Sequence, residues 1–311
     1  MKILFALLVH FYLEAYVEYI IRYFGEHQID LAVPSDLARI SDYPEGFQHI
    51  YSLAKHPEDY DLIVDLFQHS QRIDMQKYGD KVVRVVWNAG NTRKGASFYI
   101  STTEATDVAC RDQHLNFKRL KFGTDTRLFC PFPQWKKEGL NVGVVGRLNS
   151  PMKKMNEIVM QLIDIPGVNI LLFADDDYPQ VDIDRNGGKD MVTRIVSGKK
   201  YWTGMPNIYN QMDVLLEPDV KGDIKFPILD AGACGVPAVT GSTGFTDIPG
   251  FILDDFSVPS IRNALIDLRD NPDKIKRLGM EAREKVVNDW SWEAVIGDWR
   301  DFFKLMEETH G

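Results

Sequence analysis

Phe226-Pro227-Ile228-Leu229-Asp230-Ala231-Gly232-Ala233-Cys234-Gly235-Val236-Pro237-Ala238-Val239-Thr240 holds a helix start, a helix stop and a strand in one short stretch. Proline stands in the first turn, where a backbone N–H would have no helical partner to lose. Small residues follow, a glycine ends the helix, and an apolar strand opens at once. Outward from this stretch, apolar β-branched runs recur at 2–9, 29–33, 61–67, 82–87, 98–102, 141–145, 168–173, 213–216 and 237–240. Runs of this kind suit strands buried on both faces, and the helical segments between them make the sheets parallel. Helical periodicity is clearest over 11–24, where Tyr12, Tyr16, Ile20 and Tyr23 share a stripe, and over 156–163, 206–211, 260–269 and 272–288. The fold class is α/β.

A chain of 311 residues exceeds what one core usually serves, so two domains are expected. The boundary falls in Cys130-Pro131-Phe132-Pro133-Gln134-Trp135-Lys136-Lys137-Glu138-Gly139, which has linker composition and lies between two strand-like runs. Each half then carries its own parallel sheet. Ligands of such sheets sit beyond the carboxyl ends of the strands, and the cleft between two facing sheets is the expected site.

Composition excludes several classes of function. With 44% hydrophobic and 26% charged residues the chain is globular, which rules out disorder, a collagen-like repeat and a coiled coil. The net charge of −9 splits as −2 over residues 1–135 (15 basic, 17 acidic) and −7 over 136–311 (21 basic, 28 acidic). A duplex-DNA binder needs a basic excess for its phosphate contacts, so bulk nucleic acid is not expected as a partner. Cys110, Cys130 and Cys234 are odd in number and far apart, as small buried hydrophobes of a reducing compartment would be. No apolar run approaches the roughly 18 residues of a transmembrane helix, which leaves room only for peripheral membrane contact. The opening Met1-Lys2-Ile3-Leu4-Phe5-Ala6-Leu7-Leu8-Val9 is too short for a signal peptide and reads as a first strand. A cytoplasmic protein is expected.

Missing motifs narrow the chemistry. GxGxxG after the first strand, GxxxxGK[ST], HExxH and GxSxG are all absent, so dinucleotide, P-loop, zinc-protease and serine-hydrolase readings lack support. What is present lies in the second half. A strand ends Gly143-Val144-Val145-Gly146-Arg147-Leu148 and is followed by Pro151-Met152-Lys153-Lys154 and a helical segment. Glycine lets a backbone approach a ligand, and Arg and Lys just past a strand end can clamp a diphosphate. Further on come Met205-Pro206-Asn207-Ile208-Tyr209-Asn210-Gln211-Met212-Asp213-Val214-Leu215-Leu216-Glu217-Pro218 and the helix–strand stretch quoted first.

The order of these segments resembles the donor-binding domain of family 4 retaining glycosyltransferases, which have the GT-B fold of two facing Rossmann-like domains. Phe122-Gly123-Thr124-Asp125-Thr126-Arg127-Leu128-Phe129-Cys130-Pro131 is similar to that family's Asn-Gly-Val-Asp…Phe-x-Pro exit from the first domain. Trp290-Ser291-Trp292-Glu293 is similar to the opening of its last helix, which crosses back. The resemblance covers roughly residues 98–305 and divides the chain into an acceptor-side domain at 1–134, a donor-binding domain at 135–290 and a returning helix at 291–311. It implies a transferase that takes a nucleotide-diphosphate sugar and needs neither cofactor nor metal. The acceptor would be a carbohydrate, a lipid-linked or a small molecule.

By resemblance, Arg147 and Lys154 stabilise the diphosphate, with Gly146 and Lys153 beside them. The backbone of Lys225, Phe226, Ile228 and Leu229 faces the phosphates ahead of the helix dipole. Tyr209 is either core or a base-stacking ring. The family's Glu-x7-Glu becomes Gly222 and Asp230, with Asp223 next to the first position. Asp230, one methylene shorter than Glu, takes the ribose hydroxyls, and Asp223 is the remaining candidate for the donor sugar. On the acceptor side, His10 replaces the family's glycine-rich first loop, and His69 and Asn88 follow later strands.

Three rival readings stay open. One is a nucleotide-sugar epimerase of the same fold, and another is a non-catalytic nucleotide-sugar-binding protein. The third takes Asp175-Asp176-Asp177, or the EF-hand-like Asp182-x-Asp184-x-Asn186-Gly187, as the metal site of a GT-A enzyme; a solvated acidic loop is the plainer account. The clamp assignment predicts that Arg147→Ala and Lys154→Ala each lower kcat by on the order of 10²–10³, the usual effect of losing one preorganised charge stabiliser. Steady-state kinetics checks this, and near-normal turnover in both variants would remove the clamp.

Overall fold

The structure, a computed structural model, describes residues 1–6, 24, 27–32, 49–50, 56–66, 74–92, 94–134, 136–145, 155–173, 192–195, 201–218, 224–242, 245 and 247–310. The chain divides into two compact units, Met1–Gly123 with Trp292–Gly311, and Thr124–Ser291. In chain order the first unit holds β1 (Lys2–Ala6), β2 (Gln28–Ala32), β3 (His49–Ile50), β4 (Leu62–Asp65), α1 (Met75–Tyr78), β5 (Val82–Val86), β6 (Phe98–Ser101), α2 (Glu104–Asp112) and β7 (Phe117–Arg119). The second holds β8 (Leu140–Val145), α3 (Met155–Met160), β9 (Val168–Phe173), β10 (Val192–Ile195), α4 (Tyr201–Asn210), β11 (Val214–Leu216), α5 (Phe226–Ala233), β12 (Ala238–Gly241), β13 (Phe251–Leu253), α6 (Val258–Asp270) and α7 (Pro272–Asp289). A last helix, α8 (Trp292–His310), belongs to the first unit.

Among the described residues the first unit forms a parallel sheet in the order β3-β2-β1-β4-β5-β6-β7. Every residue of β4, β5 and β6 is buried, as the continuous apolar runs require. One charge pair lies inside. Arg84 Nε donates to Asp65 Oδ2 at 3.1 Å across the register pair Asp65↔Arg84. Buried ions persist only when paired, because desolvation would otherwise outweigh their attraction. Helix α8 joins this unit through aromatic packing. Trp299, Phe302 and Phe303 are buried, with Trp299 edge-on to Phe122 at 5.0 Å and Phe303 edge-on to Phe24 at 5.0 Å. The Trp299 indole N–H donates to the Lys121 carbonyl at 2.7 Å.

The second unit is a parallel sheet in the order β10-β9-β8-β11-β12-β13. Val142, Val144, Ile170, Leu172, Val214, Leu216 and Val239 form one apolar face, which packs with Ile261, Leu265 and Leu268 of α6. Strands β8 and β9 pair over their full lengths, Leu140↔Val168 through Val145↔Phe173.

Two expectations are corrected here. The proline-rich stretch at 130–139 is not where the chain leaves the first unit; the passages follow Gly123 and Ser291. Hydrogen bonds fasten the stretch to the second unit. The Phe132 N–H donates to Asn210 Oδ1 at 2.9 Å, Asn210 Nδ2 to the Cys130 carbonyl at 3.0 Å, and Lys136 Nζ to Asp213 Oδ1 at 2.8 Å. Second, α4 begins at Tyr201 and holds Pro206 in its interior rather than starting there. Inside a helix a proline gives up one backbone hydrogen bond and crowds the carbonyl four residues before it.

Close backbone approach places α5. Gly235, at φ +75°, lies against Gly279 of α7, where an added Cβ would stand 2.1 Å from the Gly235 carbonyl oxygen. Gly→Ala inside a helix normally stabilises by up to about 1 kcal/mol. Here the sign should reverse. Gly279→Ala should destabilise by about 1–3 kcal/mol, as overpacking against an immovable neighbour does. Urea unfolding measures it, and a neutral or stabilising result would mean that α5 and α7 do not approach this closely.

Candidate functional site

Buried polar residues lie where β11 ends and where α5 begins in the second unit. Glu217 directly follows β11 and is 1% exposed, and its N–H donates to the Val239 carbonyl at 3.0 Å. Lys225 is the N-cap of α5 and is buried, although its side chain makes no capping bond. Pro227 lies in the first turn, which reduces the number of amides there.

Asp230 stands within α5 and is 1% exposed. Its Oδ1 accepts a hydrogen bond from the Thr124 hydroxyl, which is also 1% exposed. Thr124 is fixed by its backbone, since its N–H donates to the Trp290 carbonyl at 2.8 Å and it bridges Ser291 in parallel. At the other end of α5, the Cys234 thiol is pushed up, first by burial and then by the nearby Asp230 carboxylate. A thiol held in that state is a poor nucleophile, so α5 offers a carboxylate and a helix dipole rather than a reactive sulfur.

Of the expected site residues, Lys225, Phe226, Ile228, Leu229 and Asp230 are brought together on α5. Their roles differ from expectation at two positions. The amides of Ile228 and Leu229 donate to the Lys225 carbonyl at 3.0 and 3.2 Å, closing the first turn instead of facing a ligand. Tyr209 is the core residue of its two readings: it is wholly buried, with its ring edge-on to Phe129 at 6.0 Å, and has no open face for a base.

Asn88 caps the short 3-10 turn Ala89–Asn91 after β5, and its Oδ1 accepts from the Gly90 N–H at 2.8 Å. His10, His69, Gly146, Arg147, Lys153, Lys154 and Asp223 lie outside the described residues, as do both acidic clusters. Among the described residues no group of three or more His, Cys, Asp and Glu is placed to hold a metal. No described helix is long and apolar enough to cross a membrane.

Sequence reasoning passed over Thr124 and Glu217. Thr124 stood within the quoted exit segment, but nothing local signals a hydrogen bond to a helix more than a hundred residues on. A hollow of about 790 Å³ also lies in this unit, at the amino ends of the strands, lined by residues including Leu140, Asn210, Asp213 and Val236. Its polar groups serve one another. Lys136 donates to Asp213 and the Met212 carbonyl, and Asn210 bonds Phe132, Cys130 and Pro206. Size without convergent donors does not make it the better candidate.

No protein-family model matches the chain. Over 85 residues it is 34% identical to a GDP-mannose-dependent monoacylated alpha-(1-6)-phosphatidylinositol monomannoside mannosyltransferase of Corynebacterium glutamicum, covering 26% of this chain and 22% of that one. A related mannosyltransferase of Mycobacterium tuberculosis is 28% identical over 92 residues, covering 28% of this chain and 24% of its own length. The matched part is thus about a quarter of either relative.

Solved structures align end to end. Sucrose-phosphate synthase of Thermosynechococcus elongatus superposes with a TM-score of 0.79 at 16% identity, covering 99% of this chain and 100% of its own. HepE of Anabaena, solved with UDP, gives 0.74 at 15% identity with 98% and 100% covered. A glycosyltransferase of Rickettsia africae gives 0.76 at 12% identity with 99% and 98% covered. With two α/β units built on parallel sheets, and this likeness over the whole chain, the fold is that of the GT-B glycosyltransferases.

Proposed function

We propose that the protein is a retaining glycosyltransferase that moves a sugar from a nucleotide-diphosphate donor to an acceptor without a metal ion. The observation that carries this reading is the 34% identity over 85 residues to an enzyme named for its use of GDP-mannose, within a chain that has the GT-B fold. The relatives' names point to a nucleotide sugar as donor. The phosphatidylinositol mannosides of the mannosyltransferases make a lipid-linked acceptor one of the candidate classes.

The chemistry asks little acid–base machinery of the protein. The bond between the sugar's anomeric carbon and the leaving phosphate oxygen breaks, and a bond to the acceptor oxygen forms on the same face. The acceptor's proton passes to the departing phosphate. The protein must hold the diphosphate and stabilise its growing charge, which falls to Arg147, Lys154 and the positive end of α5. Asp230 takes the ribose hydroxyls from within α5, and Asp223 remains the candidate at the sugar. His10, His69 and Asn88 stay assigned to the acceptor.

Ribose does not change during transfer, so its binding should be nearly equal in ground and transition states. Charge-assisted hydrogen bonds of this kind contribute roughly 1.5–3 kcal/mol. Asp230→Asn should therefore raise the donor KM about tenfold or more while changing kcat much less. Asp230→Glu should also weaken donor binding, because the longer side chain crowds a site shaped around the shorter one. Calorimetry with UDP and GDP reads both variants without knowledge of the acceptor. Unchanged affinity in Asp230→Asn would withdraw the donor-site mapping.

A further inference from the structure

Thr124 stands where the family's exit segment carries its apolar Val, and Asp230 stands where the family carries Glu. These two departures meet in a single hydrogen bond, Thr124 Oγ1 to Asp230 Oδ1. A shorter acid with a hydroxyl beside it differs mechanically from a longer acid with a methyl-bearing neighbour. The aspartate carboxylate hangs on two rotors, and its plane must be set by something it touches.

Thr124 is well placed to set it. Its N–H is held by the Trp290 carbonyl at 2.8 Å, and its backbone bridges Ser291. The preceding Gly123 packs closely on Trp292, whose backbone would stand 2.8 Å from a Cβ added there. With the main chain fixed and a β-branched side chain stiff at χ1, the hydroxyl has little freedom. A hydroxyl donor also orients a carboxylate without neutralising it, so the charge still strengthens hydrogen bonds from other hydroxyls.

We infer that Thr124 is a positioning residue of the donor site, its hydroxyl turning the Asp230 carboxylate to receive the nucleoside ribose. The inference rests on the ribose role proposed for Asp230. Thr124 touches neither the sugar nor the phosphates, and it acts only through Asp230.

Calorimetry with UDP, GDP and ADP, each beside its 2′,3′-dideoxy counterpart, which lacks both hydroxyls, tests this on the full chain and on Thr124→Val and Thr124→Ser. The unaltered protein should prefer one ribonucleotide over its deoxy form by about tenfold or more, the worth of at least one such hydrogen bond. Thr124→Val, equal in shape, should lose that preference by binding the ribo form more weakly while binding the deoxy form as before. Thr124→Ser, which keeps the hydroxyl, should restore it.

Melting temperatures separate this from a purely structural tie. A Thr124→Val protein that melts earlier yet keeps its ribose preference, or that weakens for both nucleotides alike, would overturn the inference and leave the proposed function standing. Absence of a ribose preference in the unaltered protein would overturn it by removing the ribose role of Asp230. Absence of binding to all three nucleotides would remove the donor site itself, and the inference with it.

Discussion

A parallel sheet buried on both faces has nowhere to put chemistry except its rims. In the second unit every described residue of β8, β9, β11 and β12 is buried, so the strands themselves expose nothing for a ligand to bind. The amino rim is closed off by its own hydrogen bonds. Asn141 Nδ2 donates to the Lys137 and Gly139 carbonyls and to Asp213, and Asn169 Nδ2 donates to the Glu138 carbonyl. The carboxyl rim instead carries Glu217, Lys225 and, one helical turn inside, Asp230. Sheet topology thus points to the carboxyl end of the unit.

Helix α5 can serve as a rigid platform because it is wedged on several sides. Gly232 lies under Val286 and Ile248, with the notional Cβ 3.1 and 3.2 Å from their methyls. Gly235 meets the backbone of α7, and Arg283 reaches back to the Ala233 carbonyl at the end of α5 and to the Phe129 carbonyl at 3.3 Å. Small residues along α5 are what this proximity demands. A carboxylate mounted there is held more precisely than one on a loop, which is what a uniform binding contact requires.

The sequence made the interior of the fold legible and its margins illegible, for one physical reason. Each continuous apolar run corresponds to an interior strand, whereas β3, β7, β10 and β13, the four sheet edges, have no such run. Edge strands are short, and β7 and β13 contain no fully buried residue, so hydrophobic pattern cannot announce them. Pro206 misled in a similar way, since a proline inside a helix looks like one at its start. At the site, motif order located α5 and Asp230, because a helix stop followed by a strand is a local signal. The Thr124 bond was not legible because its partners are distant in sequence. The fate of the Ile228 and Leu229 amides was likewise decided by the turn at Lys225, which no spacing rule encodes.

The central claim is that this chain binds a nucleotide sugar and transfers the sugar without a metal. Incubation of the full chain with a panel of UDP-, GDP- and ADP-sugars, with and without EDTA and with candidate acceptors, tests it most directly. The account predicts acceptor-dependent release of one nucleoside diphosphate, unaffected by EDTA, with the anomeric configuration of the sugar kept in the product. Turnover that EDTA abolishes and Mn²⁺ restores, a sugar isomerised without an acceptor, or binding of every donor without turnover would contradict it.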